Sequence, residues 1–389
     1  MHILYLHNYF CPPDGWGNNR SYEFSRHWTE RGHKVTVLTT PAYFPLRSAR
    51  KRMNYGSVVV YVVSNIYKQS MGYIRRSWSF LSYVPRALWA LLSEVFKREG
   101  RPNVVYASST PLTVPAVAYA IKKVYRIPYV FETVDVWPQV PIGMHIINYK
   151  PLANALHTLT DILYFNASHI VALSEGMKSQ IMERNIESDK VSVVHNGTNT
   201  SIFYFKGIPK EGNTFVYAGS LGAANNVDFL LDAASLVGGN WWIYGDGSQK
   251  NMLMNRARIV NSTLGYECVK FFSPVPKNEL NNVLNCANVG VSVFANYPVL
   301  EANAANKFYD YLATGLPVLT NYRGWQAEII DKYHCGYAAK QGDFNDFVYG
   351  AKLLANSSFN VNARWVAERY FDRKQLADEA LDIMTACAK

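Results

Sequence analysis

The feature that most constrains the fold of this chain is a regular alternation of short apolar runs with helix-length gaps. In the first half of the chain the apolar runs are residues 3–9, 34–40, 58–64, 103–109, 128–134, 169–175 and 190–197. Continuous apolar runs of this length, each separated from the next by room for a helix, are typical of parallel strands that are buried on both faces. The pattern therefore predicts an α/β fold with a doubly wound sheet.

The alternation stops at a polar stretch, residues 198–213, and then begins again. The runs of the second series are residues 214–220, 240–247, 268–274, 289–295, 316–321 and 336–339. At 389 residues the chain is also too long for one ordinary core. We therefore predict two Rossmann-like domains of similar size, residues 1–205 and 206–372, which face each other across a central cleft between their sheet edges.

A last helix is predicted after the second series, over residues 373–389. Its apolar stripe consists of Leu376, Ala380, Ile383 and Met384. Such a stripe has to be buried, so the helix must pack on another part of the chain. The first domain is the candidate for that contact.

The composition is that of a globular protein, with 49% hydrophobic and 17% charged residues. The longest uncharged run, residues 103–121, is interrupted by Pro111 and Pro115, so it does not read as a membrane span. The first ten residues read as a buried strand rather than a secretory signal, and we expect a cytoplasmic protein. Five scattered cysteines, with no paired metal-ligand motif, predict neither a disulfide framework nor a bound metal.

Positive charge is concentrated in one segment, residues 45–98, of a chain whose net charge is +10. Against the single acid Glu94 the segment has ten cations: Arg47, Arg50, Lys51, Arg52, Lys68, Arg75, Arg76, Arg86, Lys97 and Arg98. The aromatic residues interleaved with them are Tyr67, Tyr73, Trp78, Phe80, Tyr83 and Trp89. This mixture suits an anionic membrane surface. The alternatives are a solvated helical hairpin and a nucleic-acid patch, and no recognition motif supports the latter.

A lysine and a carboxylate stand one helical turn apart in the stretch NKFYDYLATGLPVLTN, residues 306–321. Lys307 and Asp310 would share one face of the predicted helix. The start of a helix attracts phosphate through its free N–H groups, and Lys307 would add a full charge there. Asp310 would then accept hydrogen bonds from a ribose diol. The alternative is an amphipathic core helix whose two charged residues are only solvated.

Each predicted domain opens with a glycine-containing turn after its first strand. In the first domain Gly15 and Gly17 begin a G-x-G-x-x-G pattern, but Arg20 stands where the third glycine belongs. No acidic residue follows at the spacing typical of a ribose ligand, which disfavours a nicotinamide or flavin site. The turn remains a candidate loop over a ligand.

In the second domain the turn Gly219-Ser220-Leu221-Gly222 lies between a strand and the predicted helix 226–236. Its backbone N–H groups are candidates to hold a diphosphate. A second turn, Gly245-Asp246-Gly247, is a weaker candidate of the same kind. In both cases the alternative is a tight turn without a ligand.

Asp135 follows the predicted strand 128–134, at the carboxyl edge where doubly wound sheets bind ligands. Facing Glu301 and Asp310 across the predicted cleft, its carboxylate would suit acid–base catalysis or stabilisation of an oxocarbenium ion on a sugar. The alternative is that Asp135 caps the next segment.

Seven stretches, taken in order, resemble the retaining glycosyltransferases of family 4. They are the strand and glycine loop at 3–20, VDVWP at 134–138, ALSEGM at 172–177, VVHNGTN at 193–199, YAGSLGAANNVDFLLDAA at 217–234, YGDGS at 244–248 and NKFYDYLATGLPV at 306–318. The resemblance implies a GT-B fold, a nucleotide-sugar bound to the C-terminal domain, and no metal or other cofactor. The sequence NYRGWQAEII, residues 321–330, is similar to a bacterial branch that builds O-antigen or capsular polysaccharide.

The resemblance also assigns residues. Asp310 falls on the second glutamate of the family's E-x7-E motif, which is expected to hold the ribose. The first glutamate falls on Ala302, and the adjacent Glu301 is the substitute near the donor sugar. Asn196 lies in the VVHNGTN stretch and joins the donor-binding set, and Asp135 aligns with the catalytic position of the N-terminal domain.

The family's arginine and lysine after the second-domain glycine turn align with the neutral residues Ser220 and Asn225. The diphosphate charge must then be met elsewhere. Lys307, together with the N–H groups of residues 220–222, is the first candidate, and Arg323 is the second.

These assignments predict transfer of a sugar, with retention, from a nucleotide diphosphate-sugar of the UDP-N-acetyl-sugar type. The expected acceptor is a polyprenyl diphosphate-linked saccharide at the inner face of the cytoplasmic membrane. Two alternatives stay open: a GT-B sugar-nucleotide epimerase, and a catalytically inactive assembly subunit associated with the membrane.

Overall fold

The structure is a computed structural model, which describes residues 1–13, 15, 17–44, 51–65, 71, 73–208, 210 and 212–388. Of residues 73, 74 and 76 only the backbone is described. The chain divides into two compact units, each with its own parallel sheet: residues 1–195 with 373–389, and residues 196–372. The predicted α/β fold with two doubly wound sheets is therefore confirmed.

The strands of the first unit are β1 (His2–Leu6), β2 (Lys34–Thr39), β3 (Arg52–Tyr55), β4 (Val58–Val62), β5 (Val104–Ser109), β6 (Tyr129–Thr133), β7 (His169–Ala172) and β8 (Val191–Val193). Those of the second unit are β9 (Thr214–Ala218), β10 (Asn240–Tyr244), β11 (Val269–Phe272), β12 (Val289–Ser292), β13 (Val318–Thr320) and β14 (Gly336–Ala338).

The helices are α1 (Arg20–Glu30), α2 (Tyr73–Ala90), α3 (Phe96–Glu99), α4 (Thr113–Tyr125), α5 (Gln139–Gly143), α6 (Lys150–Asn166), α7 (Glu175–Met182), α8 (Asp228–Val237), α9 (Lys250–Leu264), α10 (Lys277–Cys286), α11 (Asn306–Ala313), α12 (Trp325–Tyr333), α13 (Phe344–Leu354), α14 (Val361–Tyr370) and α15 (Arg373–Cys387). Short 3₁₀ turns occupy Pro41–Tyr43, Ser188–Lys190, Ala223–Asn225 and Pro298–Leu300, and a π-helical turn at Leu91–Val95 joins α2 to α3.

The sheet of the first unit has the strand order β3-β4-β2-β1-β5-β6-β7-β8. Its strands are parallel except β3, which pairs antiparallel with β4 at one edge. Seven of the eight strands lie within the predicted apolar runs, but β3 was missed. Its sequence, RMNY, is mostly polar and only half-buried, so it lacks the continuous apolar run that reveals the other strands.

The sheet of the second unit has the order β11-β10-β9-β12-β13-β14, and its strands are all parallel. The strand order reverses at β9, whose neighbours are β10 on one side and β12 on the other. In a doubly wound sheet, ligands bind outside the carboxyl ends of the strands at such a reversal. The loops that follow β9, β10 and β12 are therefore the first place to look for a site.

The division between the units lies at residues 195 and 196, not at the predicted residue 205. The polar stretch that begins at residue 198 has the composition of a linker, but its first residues are bound into the second unit. The backbone N–H of Thr198 donates to Phe371 O at 2.9 Å, and Phe203 is buried in the core of that unit. The polar composition of this segment therefore does not indicate its attachment to the second unit, which is made by backbone hydrogen bonds and one buried ring.

Helix α15 belongs to the first unit, where it packs against α1. Arg373 Nη1 donates to Glu23 Oε2 at 2.7 Å, and Trp28 Nε1 donates to Ala377 O at 2.8 Å. The apolar stripe contributes Leu376, Ala380 and Met384 to the core of the first unit. The end of the chain therefore completes one face of the first sheet.

A buried ion pair joins the start of α1 to the middle of the first sheet. Arg20 Nε donates to Glu132 Oε1 at 3.0 Å, and both side chains are almost fully buried. Tyr106 OH donates to the same oxygen at 2.9 Å, and Ser108 Oγ donates to Oε2. Burial alone would raise the pKa of Glu132, but Arg20 and these hydroxyls lower it.

The same guanidinium also donates to the backbone oxygens of Val194 and His195, after β8. Arg20 thus explains the broken glycine pattern, because the position of the third glycine holds a residue that ties α1 to the last strand of the sheet.

Within the described residues, no helix is both long and apolar enough to cross a membrane. All five cysteines lie in the described part of the chain, where no disulfide bond joins them, and Cys11, Cys268 and Cys335 are buried.

Arg20→Met should lower the free energy of unfolding by about 3–5 kcal/mol, because it leaves the Glu132 carboxylate buried without its counter-ion. Urea unfolding checks this value. Arg26→Met, on the exposed side of the same helix, should cost less than about 1 kcal/mol, and the double variant R20M/E132Q should recover part of the loss. Wild-type stability of R20M would contradict this role of the pair.

Candidate functional site

The two glycine turns of the second unit pack directly on each other at the carboxyl edge of its sheet. Leu221 N donates to Asp246 O at 2.9 Å. A Cβ atom on Gly245 would lie 2.0 Å from Gly219 O, and one on Gly247 would lie 2.4 Å from Leu221 O. Glycine is required at 245 and 247 because the loops after β9 and β10 approach backbone to backbone.

This packing changes the predicted diphosphate cradle. The N–H groups of Gly219 and Leu221 already donate to Tyr244 O and Asp246 O, both at 2.9 Å. Of the predicted donors, the N–H groups of Ser220 and Gly222 donate to no other described residue. The helix that should begin at 226 begins at Asp228, behind a 3₁₀ turn and a left-handed Asn226. The turn therefore does not lead directly into a helix N-terminus.

Lys307, the second residue of α11, places its ammonium beside this turn. Its Nζ atom lies 4.1 Å from the ring centroid of Tyr217 and 5.4 Å from that of Phe294. A Cβ atom on Gly219 would lie only 3.1 Å from Nζ. The ammonium is buried, and the described part of the chain gives it no hydrogen-bond partner. Within this described part, the groups that face its charge are two aromatic rings.

Burial lowers the pKa of Lys307 to about 7. A buried cation without a counter-ion is costly for the folded state, and such groups concentrate at functional sites. The alternative, in which the helix carries solvated charges, is wrong for this side chain. Phe308, Tyr311 and Leu312 on the same helix are also buried, so α11 is buried on both its apolar and its charged side.

Asp310 is buried too, and each of its carboxylate oxygens has a partner. Its Oδ1 accepts from Thr198 Oγ1 at 2.7 Å, and its Oδ2 pairs with Lys277 Nζ at 2.6 Å. A carboxylate has about four acceptor sites, so these two contacts do not use all of them. The ribose contact stays a prediction.

The sequence reasoning missed Lys277 and Thr198. Lys277 is the first residue of α10, and nothing in its surroundings, PKNEL, marks it as a partner of a residue 33 positions later. Thr198 begins the polar stretch 198–213, in which no local pattern indicates a binding partner. Both contacts are set by tertiary structure, which no local pattern encodes.

Three other predicted donor-site residues contact the loops around α11 and α12. Asn196 Nδ2 donates to Ala304 O at 2.9 Å, just before α11. Arg323 pairs with Asp331 Oδ2 at 2.7 Å and donates to Ala338 O at 2.8 Å, so its guanidinium supports the loop after β13. Glu301 ends the 3₁₀ turn before α11 and is partly exposed.

In the first unit, Gly15 and Gly17 are explained by close packing. A Cβ atom would lie 2.4 Å from Cys11 Sγ at position 15, and 2.8 Å from the Tyr43 ring at position 17. Asp135 follows β6 and accepts a hydrogen bond from Thr110 Oγ1 at 3.1 Å. Desolvation by the surrounding protein raises the pKa of the Asp135 carboxyl, and the hydrogen bond from Thr110 opposes that shift. Its catalytic role stays a prediction.

No cluster of three or more metal-ligating side chains exists among the residues that the structure describes. The candidate site is therefore the buried ammonium of Lys307, with the glycine turn after β9 and the N-terminal turn of α11 beside it. Such an arrangement can hold an anion.

Two family models match the two units of the chain. The model described as a glycosyl transferase 4-like domain matches residues 17–197, and the model of glycosyl transferases group 1 matches residues 212–356. The chain belongs to the GT-B glycosyltransferases of family 4. The resemblance found from the sequence motifs is confirmed.

Among curated proteins, the lipopolysaccharide 1,6-galactosyltransferase of Escherichia coli strain K12 is 26% identical over 192 residues. The match covers 47% of this chain and 51% of that protein, so the chain spans about half the length of its curated relative.

Two solved structures share the fold over nearly their whole length. Sucrose-phosphate synthase from Thermosynechococcus elongatus has a TM-score of 0.76 at 13% identity, covering 99% of this chain and 98% of the other. The Anabaena protein HepE in complex with UDP and glucose has a TM-score of 0.70 at 14% identity, covering 99% and 100%. At these identities the likeness shows the fold alone.

Lys307→Met should raise the free energy of unfolding by about 1–3 kcal/mol at pH 6.5, because it removes an unpaired buried charge. Thermal or urea unfolding checks this. The pKa of Lys307 is about 7 in the folded protein and 10.5 when the side chain is free in water. Between pH 7 and pH 10.5 the folded state therefore binds fewer protons than the unfolded state. Wild-type stability therefore rises with pH in that window, and the variant should lose this rise.

Lys352→Met, on the exposed side of α13, is the matched control and should change neither quantity. A destabilised Lys307→Met protein would show instead that Lys307 serves to hold the fold.

Proposed function

We propose that this family-4 glycosyltransferase transfers a sugar from a nucleotide diphosphate-sugar and that Lys307 binds the diphosphate. The observation that carries the proposal is the ammonium buried between Tyr217 and Phe294 without a hydrogen-bond partner in the described part of the chain. An incoming diphosphate would supply the missing counter-charge, and a modest turn of the side chain would bring Nζ to it.

The leaving group gives this cation a catalytic role. When the bond from the sugar to the diphosphate breaks, negative charge grows on the phosphate oxygen. Lys307 and the N–H groups of Ser220 and Gly222 would stabilise that charge, and this needs no metal cofactor. The diphosphate in turn raises the pKa of Lys307 above its free value of about 7, which keeps the lysine charged during transfer.

A uridine donor is the first choice. The fold relative HepE is in complex with UDP and glucose, and the curated relative is a galactosyltransferase. We extend the proposal to UDP-hexoses and their N-acetyl forms, and to retention at the anomeric carbon. Asp135 and Glu301 are the proposed carboxylates for the reacting sugar.

The proposed acceptor is a saccharide linked to a polyprenyl diphosphate, used to build O-antigen, capsule or another cell-surface polysaccharide. The word lipopolysaccharide in the name of the curated relative supports a saccharide on a membrane lipid, and the polyprenyl diphosphate carrier is our proposal. An acceptor held in the membrane implies that the enzyme works at the inner face of the cytoplasmic membrane.

The affinity for UDP should fall as pH rises from about 7 to 9. The free lysine loses its proton in this window, whereas the bound lysine keeps it, so binding takes up a proton. The second ionisation of the phosphate group has a pKa of about 6, so it is largely complete at pH 7 and adds little slope between about pH 7 and 9. Isothermal titration in buffers of different ionisation enthalpy measures both the affinity and the proton uptake.

Lys307→Arg keeps a permanent charge and should flatten this pH dependence. Equal proton uptake in wild type and Lys307→Arg would show that another group titrates and that Lys307 is not the diphosphate ligand.

Lys307→Met should lower kcat/KM for sugar transfer by about 100-fold or more, the usual loss when a charge-stabilising donor is removed. The assay measures UDP release from a panel of UDP-sugars with lipid-linked saccharide acceptors. Lys352→Met, again the control, should match wild type. Wild-type activity in Lys307→Met would remove the proposed role.

The same assay separates the alternatives. Conversion of a UDP-sugar into its epimer without an acceptor would identify an epimerase. Tight UDP binding with no turnover on any donor and acceptor pair would identify an inactive assembly subunit.

A further inference from the structure

Helix α2 of the first unit has two opposite faces that differ sharply in exposure. One face is buried and consists of Ser79, Tyr83, Ala87 and Leu91, each four residues after the previous one. Helix α2 packs against α4. Because residues four apart lie on one side of a helix, these side chains form one row that holds α2 in the fold.

The opposite face is apolar and points away from the core. Its large side chains are Trp78, Leu81, Trp89 and Leu92, which are 72%, 62%, 74% and 44% exposed. Together with the exposed Pro85 they follow one another at intervals of three or four residues, so they form one continuous stripe. We call it the α2 stripe. Exposure of two tryptophans and two leucines in one row is unusual for a surface that meets only water.

Cations flank the α2 stripe. Arg75 and Arg86 are exposed and eleven residues apart, which places them on one side of the helix beside the stripe. Lys97 and Arg98 are exposed at the end of α3. The acid in this stretch, Glu94, is neutralised by Lys51 at 2.9 Å. The surface therefore combines an apolar row with positive charge.

The structure corrects the predicted membrane segment, residues 45–98, in two ways. Tyr83 is buried, and the exposed Lys51 and Arg52 have their charges paired with Glu94 and Glu99. Other members of the predicted set, Arg47, Arg50, Tyr67 and Lys68, lie outside the described residues. The exposed aromatic surface is the narrower α2 stripe.

We propose that the α2 stripe inserts into the headgroup region of an anionic lipid bilayer. The helix would lie in the plane of the interface, with the tryptophans and leucines in the acyl boundary and the arginines at the lipid phosphates. Charge complementarity selects this occupant: a row of cations beside indole rings matches anionic lipid. It gives no advantage to a second copy of the same basic chain.

This proposal goes beyond sugar transfer, because lipid binding needs neither donor nor acceptor. It would hold the first unit at the membrane in which a lipid-linked acceptor resides. Its test is independent of activity, so that failure of one proposal leaves the other standing.

The experiment is co-sedimentation of the purified full chain with vesicles, either phosphatidylcholine alone or equimolar phosphatidylcholine and phosphatidylglycerol. We expect binding to the mixed vesicles that weakens as salt is raised. The double variant W78Q/W89Q should bind at least about tenfold less, since two buried indole rings are lost from the interface. R75Q/R86Q should bind mixed vesicles less and lose the dependence on phosphatidylglycerol.

The matched control is I259Q/L353Q, which removes two side chains of the second unit that are 67% and 59% exposed, and it should bind as wild type does. Circular dichroism and the thermal midpoint establish that each variant is folded. Quenching of tryptophan fluorescence by brominated lipid should also be reduced in W78Q/W89Q.

Three results would overturn the proposal. They are absence of binding to either vesicle, equal binding by wild type and W78Q/W89Q, and a wild-type dimer that W78Q/W89Q converts to a monomer without any vesicle binding. The last result would assign the α2 stripe to a second copy of the chain.

Discussion

The site of the second unit depends on Lys307, which is buried and has no counter-ion among the residues that the structure describes. Tyr217, Phe294 and the glycine at 219 surround the Lys307 ammonium closely and give it aromatic faces instead of an anion. Such a group destabilises the folded state unless a ligand arrives with the opposite charge. The packing of the glycine turns and the burial of α11 both act to hold that lysine in place, and the proposed chemistry follows from its charge.

In the first unit, by contrast, a buried arginine and a buried glutamate neutralise each other. Arg20 and Glu132 pair directly, and hydroxyls of the neighbouring strands satisfy the remaining lone pairs. A fully paired network of this kind supports the architecture and has no charge left for a ligand. The contrast between a satisfied pair in one unit and an unpaired lysine in the other separates a structural role from a candidate binding role.

The sequence predicted the parts of the molecule that local patterns encode. Buried parallel strands are continuous apolar runs, so thirteen of the fourteen strands among the described residues were found, and the polar edge strand β3 was not. Lys307 was singled out by its place on α11. Its isolation from any counter-ion, the pairing of Asp310 with Lys277 and the attachment of residues 196–205 to the second unit arise from contacts between distant residues. No pattern in the sequence specifies these.

The most direct test of the central claim is a crystal structure of the protein with UDP. In this complex Lys307 Nζ should leave its position between the two rings and lie about 3 Å from a diphosphate oxygen. UDP bound elsewhere, with the ammonium still enclosed by Tyr217 and Phe294, would contradict it.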